Sequence, residues 1–392
     1  MGTGGLVFQP ALLRGSTANI GTLLPARLAA MDYEGRQTRL QGVLAKHRLD
    51  GLLVTHLPNI RYLCGFTGSA GVLLVTESTR VFFTDGRYTE QAGTEVQGAR
   101  VVIARKPPLI AASERLAAKG KKWGLKTLGI EGDHLTVAGR SQLTKVLQSR
   151  LKLREAPPLV EQARMVKDAE EIDRLRAAVL QGARLFDVAL RTIRAGVKET
   201  EVAAEMEYAA RRAGVEGMSF ETIIASGPRS ALPHGRASQA AIPSNGFVVC
   251  DFGVILTGYC SDMTRTVHLG VPGQQARGVY AAVREAQQAG TEAVKPGAKV
   301  SEVDRAARNV LRKNGLGRHF THSTGHGVGL EIHEAPRVAA GQAEVLRPGM
   351  VVTVEPGVYI PGVGGVRIED MVVVTERGRE VLTPTPKELI TI

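Results

Sequence analysis

An internal repeat in the C-terminal part of the chain limits the possible folds more than any other feature of the sequence. Residues 194–202 read RAGVKETEV, and residues 295–303 read KPGAKVSEV. The offset between the copies stays at 101 residues (196 to 297, 214 to 315). Two copies exclude a solenoid and predict two αβ halves related by a pseudo-twofold axis. We expect an active site between such halves.

Each copy of the repeat carries start and stop signals of one helix. Thr200 and Ser301 are the predicted N-caps, since a short hydroxyl side chain accepts hydrogen bonds from the first backbone N–H groups of a helix. Gly214 and Gly315 are the predicted C′ residues, where glycine adopts the left-handed conformation without strain. The repeat therefore predicts two matching helices.

Residues 31–156 predict a separate N-terminal α/β domain. A chain of 392 residues exceeds the usual size of one domain. Helical patterns separate several apolar, strand-like runs, which are residues 51–55, 71–76, 81–84 and 101–104. Tandem prolines within residues 154–159 predict a linker, because each ring restricts the backbone before it. The second domain would cover residues 157–392, with a helix from a capping box at Asp168 and Glu171 to about Ala195.

Residues 1–30 are a leader of uncertain status, and we leave them outside the predicted fold. No acidic residue precedes Asp32, while arginine, serine and threonine are present. This composition fits a transit peptide but lacks the apolar core of a secretory signal. A start codon assigned upstream of Met31 would explain it equally well.

Composition excludes several classes of protein. Three cysteines without a CxxC spacing argue against a disulfide framework and favour a reducing compartment, so we expect a cytoplasmic protein. The net charge of +12 is spread along the chain, which favours a solvated basic surface over a nucleic-acid site. No run of about 18 apolar residues occurs, so we expect no membrane span.

Two aspartates in a strand-like segment indicate a cation. Residues 247–266 predict a β-hairpin, and with the turn centred between Leu256 and Thr257, Asp251 lies opposite Asp262 on the ladder. Carboxylates in that position repel each other unless a cation lies between them. A hard metal ion is the simplest such cation.

Two glutamates and a histidine add to the predicted metal site. Glu355 ends a valine-rich strand, and Glu369 shares one strand face with Arg367. His326 lies in a GHGVG stretch that is too glycine-rich for a stable helix, so its spacing from His322 does not indicate a metalloprotease helix. The flanking glycines let the backbone approach closely and present the imidazole as a ligand. Four buried acids without a metal would carry a large desolvation cost.

These motifs together resemble the pita-bread metallopeptidases, the family of aminopeptidase P, prolidase, methionine aminopeptidase and creatinase. The resemblance covers about residues 157–392 and implies an α+β pita-bread domain, with its internal pseudo-twofold repeat, behind the N-terminal α/β domain. Five ordered motifs carry it: Asp251, YCSDMTR around Asp262, GHGVG followed by His333 and Glu334, Glu355 with Pro356 and Gly357, and GVRIED around Glu369.

The resemblance also implies the composition of the site. Two divalent metal ions, most simply manganese with cobalt or zinc as substitutes, would be bound by Asp251, Asp262, His326, Glu355 and Glu369. Glu355 would also act as general base on a bridging water. His234 and His333 would hydrogen-bond the substrate carbonyl or the oxyanion. His322, Tyr359 and Arg367 match supporting positions that bind substrate.

The function expected within this family is that of a Xaa-Pro aminopeptidase, which releases the first residue from peptides with proline second. Residues 59–71 and 83–92 resemble aminopeptidase P more than prolidase, and Xaa-Pro dipeptidase activity is the alternative. Creatinase lacks the metal set, and methionine aminopeptidases generally lack such an N-terminal domain. A non-catalytic interaction module of the same fold is a third possibility. A homodimer is a further expectation from the family.

Overall fold

The computed structural model describes residues 29–148 and 150–392. The leader expected at residues 1–30 therefore falls almost entirely outside the described residues. Within the described part of the chain, no helix combines the length and the apolar character that a membrane crossing needs.

The N-terminal α/β domain is built around one six-stranded sheet. Its strands are β1 (Gly51–Val54), β2 (Val72–Thr76), β3 (Arg80–Asp85), β4 (Arg100–Ala104), β5 (Thr127–Glu131) and β6 (Lys152–Ala156). Its helices are α1 (Tyr33–Leu44), α2 (Leu57–Cys64), α3 (Thr89–Glu95), α4 (Pro108–Lys119) and α5 (Val137–Leu147). The strand order is β4-β3-β2-β1-β5-β6. The four predicted strands are confirmed as β1 to β4, whereas β5 and β6 are additional.

The sheet separates two apolar layers. Leu52 and Val54 pack with α1, α2 and α3 on one face, while Leu53 packs with α4 and α5 on the other. This is the two-residue period of a strand. Because both faces are buried, β1 consists of apolar residues throughout.

The connection between the domains is shorter than the predicted linker. Residues 154–156 complete β6, and α6 (Leu159–Met165) begins three residues later. The prolines follow the edge strand instead of interrupting it, so they need not disrupt its hydrogen bonds. Leu159 and Val160 pack into the N-terminal core, while Met165 packs into the second domain. Helix α6 therefore joins the two domains.

The C-terminal domain consists of two αβ halves, as the repeat predicts. The first half contains α7 (Ala169–Thr192), α8 (Glu199–Arg212), β7 (Gly217–Met218), β8 (Ile223–Ser226), β9 (Gly246–Phe252), β10 (Val254–Leu256), β11 (Tyr259–Cys260) and β12 (Met263–Leu269). The second contains α9 (Gln274–Ala293), α10 (Val300–Lys313), β13 (Gly325–Gly327), β14 (Glu334–Val338), β15 (Val351–Val354), β16 (Gly357–Ile360), β17 (Gly364–Arg367), β18 (Asp370–Thr375) and β19 (Gly378–Val381). In the first half β9 lies between β8 and β12, and in the second β15 lies between β13 and β18.

The helices reproduce the repeat, but the predicted N-caps are wrong. The bounds of α10 are those of α8 shifted by 101 residues (199 to 300, 212 to 313). Lys198 and Lys299 are the N-caps, in extended conformation, two residues before the predicted ones. Each of these lysines forms an isolated antiparallel bridge with a neighbouring segment. That tertiary pairing fixes the extended residue, so the helix begins directly after it.

The predicted glycines end the two repeat helices, and the predicted capping box begins α7. Gly214 and Gly315 have positive φ angles of 81° and 71° after the two repeat helices. At the start of α7, the Glu171 N–H donates to Asp168 Oδ1 at 2.9 Å, and the Asp168 N–H donates to Glu171 Oε2 at 3.2 Å. These helix ends could be predicted from the sequence because each depends on only a few neighbouring residues.

The predicted hairpin forms, but its predicted register is wrong. Thr257 and Gly258 make the turn between β10 and β11, with φ of 51° and 85°, the pattern of a two-residue type I′ turn. Asp251 therefore pairs with Thr264 and not with Asp262, which lies just before β12. A shift of two residues keeps the same side chains on the same face. Both aspartates thus still reach one cavity.

Candidate metal and catalytic site

Nine of the ten predicted site residues line one cavity of about 780 Å³ in the C-terminal domain. They are His234, Asp251, Asp262, His322, His326, His333, Glu355, Arg367 and Glu369. The tenth, Tyr359, is buried behind the wall, where its hydroxyl meets His322 Nε2 at 3.0 Å and accepts a hydrogen bond from Arg367. The structure therefore brings all ten residues together.

Matching strands of the two halves supply the carboxylates. Asp251 lies on β9, the central strand of the first half, and Glu355 directly follows β15, the central strand of the second. Asp262 directly precedes β12, and Glu369 directly precedes β18. The halves meet where Thr264 Oγ1 donates to Glu369 Oε2 at 2.7 Å. The cavity thus forms at the junction of the two halves.

Three of these residues are spaced so that they could hold a metal ion. Among the described residues, ligand atoms of Asp262, His326 and Glu369 all lie within 4.8 Å of one another. His326 Nδ1 is bonded to the Gly327 carbonyl at 3.0 Å, so Nε2 faces the acids. That nitrogen is 3.5 Å from Asp262 Oδ2 and 3.5 Å from Glu355 Oε1. Such separations fit bonds of about 2.1 Å to one shared ion.

Close backbone packing places His326. A Cβ at Gly325 would lie 1.9 Å from the Thr353 carbonyl oxygen, and one at Gly327 would lie 2.2 Å from the Ala335 carbonyl oxygen. Glycine alone fits at these distances. The His326 N–H also donates to Thr353 Oγ1 at 3.1 Å. The predicted reason for the flanking glycines, close backbone approach, is confirmed.

Burial and mutual repulsion make three of the carboxyl groups hard to ionise. Burial raises the pKa of Glu355 to about 7. Burial, with repulsion from Asp251 and Glu355, raises the pKa of Asp262. Burial, with repulsion from Asp262 first, raises the pKa of Glu369. The protein alone therefore does not stabilise these negative charges, and a bound cation would.

Asp251 has a cation beside it. Arg367 Nη2 donates to Asp251 Oδ2. Asp251 Oδ1 is buried and accepts no hydrogen bond from any described residue. Buried polar atoms nearly always have a partner, so this oxygen fits a ligand that the protein does not supply. Carboxylate oxygens with one imidazole nitrogen are the donors that hard divalent ions such as manganese accept.

The histidines occupy different environments. His322 Nδ1 lies 2.8 Å from the Ser323 carbonyl, and burial, with the charge of Arg367, lowers its pKa to about 4. It is therefore neutral near pH 7. His234 and His333 are exposed at the cavity wall. The ring of His333 packs edge-on against that of His326, with centroids 4.4 Å apart.

Two arginines of the cavity wall were missed by the sequence analysis. Arg236 Nε pairs with Glu221 at 2.9 Å. The side chain of Arg337, on β14, forms no hydrogen bond or ion pair with any described residue and lines the cavity. The spacing of four residues between His333 and Arg337 could have revealed it, because alternate residues of a strand share a face.

A cavity rich in carboxylates and histidines between two αβ halves defines a metal-dependent hydrolase of the pita-bread fold. Residues 173–376 match the metallopeptidase family M24, and residues 36–166 match the creatinase/prolidase N-terminal domain. The chain belongs to metallopeptidase family M24. The predicted family and the predicted α/β plus α+β fold are therefore confirmed.

Relatives of two activities resemble the chain over nearly its whole length. It is 38% identical over 347 residues to the Xaa-Pro dipeptidase of Pyrococcus horikoshii, with 88% of this chain and 95% of the relative covered. The solved structure of the Xaa-Pro dipeptidase from Bacillus anthracis has a TM-score of 0.88 at 41% identity, covering 92% of this chain and 100% of that one. The X-Pro aminopeptidase from Thermotoga maritima has a TM-score of 0.83 at 36% identity, covering 91% and 100%.

Proposed function

We propose that this protein is a metal-dependent Xaa-Pro dipeptidase, which hydrolyses the bond between a first residue and a C-terminal proline. Dipeptidases are more frequent than aminopeptidases among the relatives that resemble it. The comparisons thus favour the alternative over the aminopeptidase that residues 59–71 and 83–92 favour. Aminopeptidase activity is the second candidate, because the Thermotoga maritima enzyme is also a near structural neighbour.

The unpaired guanidinium of Arg337 is the observation that favours the dipeptidase over the aminopeptidase. A Xaa-Pro dipeptide ends in a carboxylate one residue beyond the cleaved bond, whereas a longer peptide continues past that point. Arg337 lines the same cavity as the acidic residues, and its guanidinium has no partner among the described residues. A guanidinium binds a carboxylate through two parallel hydrogen bonds. A free cation in an acidic cavity therefore favours a substrate that carries its own carboxylate.

The metal-binding part of the proposal concerns residues from both halves. Two divalent ions, which we expect to be manganese, would be held by Asp251, Asp262, His326, Glu355 and Glu369. When bound, such ions lower the pKa of a water and polarise the scissile carbonyl. The orphaned oxygen of Asp251 and the raised pKa values of the other three carboxyl groups support this assignment.

The remaining roles belong to the side chains themselves. Glu355 would accept the proton of the attacking water as general base. His234 and His333 would donate hydrogen bonds to the scissile carbonyl and to the oxyanion that replaces it. Arg367 would hold Asp251 in place from one side, with Tyr359 bonded to the same guanidinium.

Hydrolysis of Ala-Pro and of Arg-Pro-Pro, with added manganese and after chelation, tests the proposal. We expect cleavage of Ala-Pro, slower or no cleavage of Arg-Pro-Pro, and loss of activity on chelation. Cleavage of the tripeptide alone would make the protein an aminopeptidase. If neither peptide is cleaved with any metal tested, the result would favour a non-catalytic interaction module of the same fold.

A further inference from the structure

A buried carboxylate outside the cavity accepts several hydrogen bonds from one loop. Glu199, the first residue of α8, is 0% exposed. Its Oε1 accepts from the Ser226 N–H at 2.7 Å and from Ser226 Oγ at 2.8 Å. Its Oε2 accepts from Arg229 Nε at 3.0 Å, from the Ser238 N–H at 3.1 Å and from Ser238 Oγ at 2.7 Å. Five donated hydrogen bonds thus converge on this side chain.

These donors bracket the loop that carries His234. Strand β8 ends at Ser226, and the loop returns to Glu199 at Ser238, with His234 on the cavity wall between them. Arg229 also ties the loop to itself, because its Nη2 donates to the Arg236 carbonyl at 2.8 Å. A single carboxylate therefore fixes both ends of residues 226–238.

The imidazole of His234 depends on this loop for its position. The side chain is exposed and forms no hydrogen bond with any other described residue. On the cavity side, Arg367 Nη1 donates to the Pro233 carbonyl at 3.0 Å, and the Gly365 N–H donates to Ser230 Oγ at 2.8 Å. The position of the ring is therefore set by the loop backbone, and Glu199 fixes the ends of that backbone.

The matching position in the second half has no such carboxylate. Residue 199 plus the offset of 101 gives Val300, which is fully buried in an apolar cluster. The start of the helix thus does not require an acid at this place. A buried charge costs free energy unless hydrogen bonds compensate it. Its presence in the first half alone therefore points to the loop that it holds.

We infer that Glu199 is a positioning residue, which holds residues 226–238 so that His234 lies where the scissile carbonyl binds. The role of His234 in this inference rests on the proposed function. The restraint on the loop does not, so the two are tested separately.

Hydrogen exchange measured by mass spectrometry tests the restraint, with wild type and variants compared at the same metal content. Glu199→Ala removes all five hydrogen bonds, and we expect exchange in residues 226–240 to become about tenfold faster or more. Val300→Ala is the matched control, which loses core packing but should leave residues 226–240 unchanged. If Glu199→Ala does not fold, Glu199→Gln, which keeps the size of the side chain, replaces it. Unchanged exchange in the folded variant would overturn the inference, whatever the protein cleaves.

A double-mutant cycle on Ala-Pro hydrolysis tests whether Glu199 acts through His234. We expect Glu199→Ala and His234→Ala each to lower kcat/KM by about 10²-fold, with Glu199→Gln in between. The double variant should be no worse than His234→Ala alone, because the lost interaction is shared. If the losses of kcat/KM from the two single variants multiply in the double variant, Glu199 acts independently of His234, and the inference is overturned. If the wild-type protein cleaves no Xaa-Pro peptide, the proposed function fails, and the exchange result alone decides the restraint.

Discussion

The two halves of the C-terminal domain have matching helices but carry different side chains at matched positions. Strand β13 of the second half carries His326, whereas the same position of the first half, 101 residues earlier, is the buried Ala225. At the start of the repeat helices, the polar residue is in the first half instead: Glu199 begins α8, and the matching residue of α10 is the apolar Val300. The repeat therefore provides a symmetric scaffold, and a few substitutions at matched positions give each half its own chemistry.

The largest effect should come from removing the acid that follows the central strand of the second half. Glu355→Ala takes away both a proposed metal ligand and the proposed base, so we expect Ala-Pro hydrolysis to fall by about 10⁴-fold or more, to background. Steady-state assays with saturating manganese measure the effect. Glu376→Ala, an exposed acid of the same half, is the control and should keep full activity. Substantial turnover by Glu355→Ala would contradict its assignment.

Each half also contributes one exposed histidine to the cavity wall, and the two should act alike. His333→Ala and His234→Ala should each lower kcat by about 10²–10³-fold, as loss of an oxyanion donor does. Neither is a proposed ligand, so the metal content measured by elemental analysis should not change. If one variant has a normal rate, that histidine does not contact the oxyanion, and the contact is made by one half alone.

The two additional arginines of the cavity wall, Arg337 and Arg236, should differ in how much their replacement raises KM. Arg337→Leu should raise KM for Ala-Pro by about 10–100-fold, because one charge-assisted contact to the substrate carboxylate is lost. The same change should have little effect on Ala-Pro amide, which has no carboxylate. Arg236→Leu removes an arginine already paired with Glu221, and we expect KM to change little. Equal effects of Arg337→Leu on the acid and the amide would argue against dipeptidase specificity.

The smallest effect concerns the stability of the metal-free protein as the pH changes. Burial raises the pKa of Glu355 from 4.5 to about 7, so the folded state binds more protons than the unfolded state between these values. Stability contributed by this group is therefore present at pH 4.5 and lost as the pH rises to about 7. Chelated protein should melt several degrees lower at pH 7 than at pH 5 by calorimetry. Added manganese should reverse that order, since metal binding favours the ionised carboxylates. A chelated protein that is more stable at pH 7 would contradict the burial of these acids.

Features that depend on a few neighbouring residues were predictable from the sequence. The capping box and the apolar runs of β1 to β4 follow from such local patterns, and the 101-residue repeat follows from comparing two segments of the sequence. The hairpin register was not, because the turn at Thr257 and Gly258 needs two residues with positive φ and threonine rarely adopts it. The lysine N-caps depend on bridges to distant segments, which no local propensity records. The sequence likewise cannot show that Arg337 lacks a partner.

The convergence of the candidate ligands on one cavity was predictable for a different reason. Several acids in or beside predicted strands are costly to bury without enough opposite charge, so they indicate a metal even when their pairing is misjudged. The loop restraint by Glu199 was not predictable, since its donors lie 27 to 39 residues away along the chain. Only the folded structure brings those groups together.

Metal stoichiometry tests the central claim, that acids from both halves form one metal centre. Manganese bound per chain can be measured by elemental analysis after dialysis, for the wild type, for Asp262→Asn from the first half and for Glu369→Gln from the second. We expect about two ions in the wild type and a loss of bound metal in both variants. A wild-type protein that binds no divalent metal, or a loss confined to variants of one half, would contradict a centre shared between the halves.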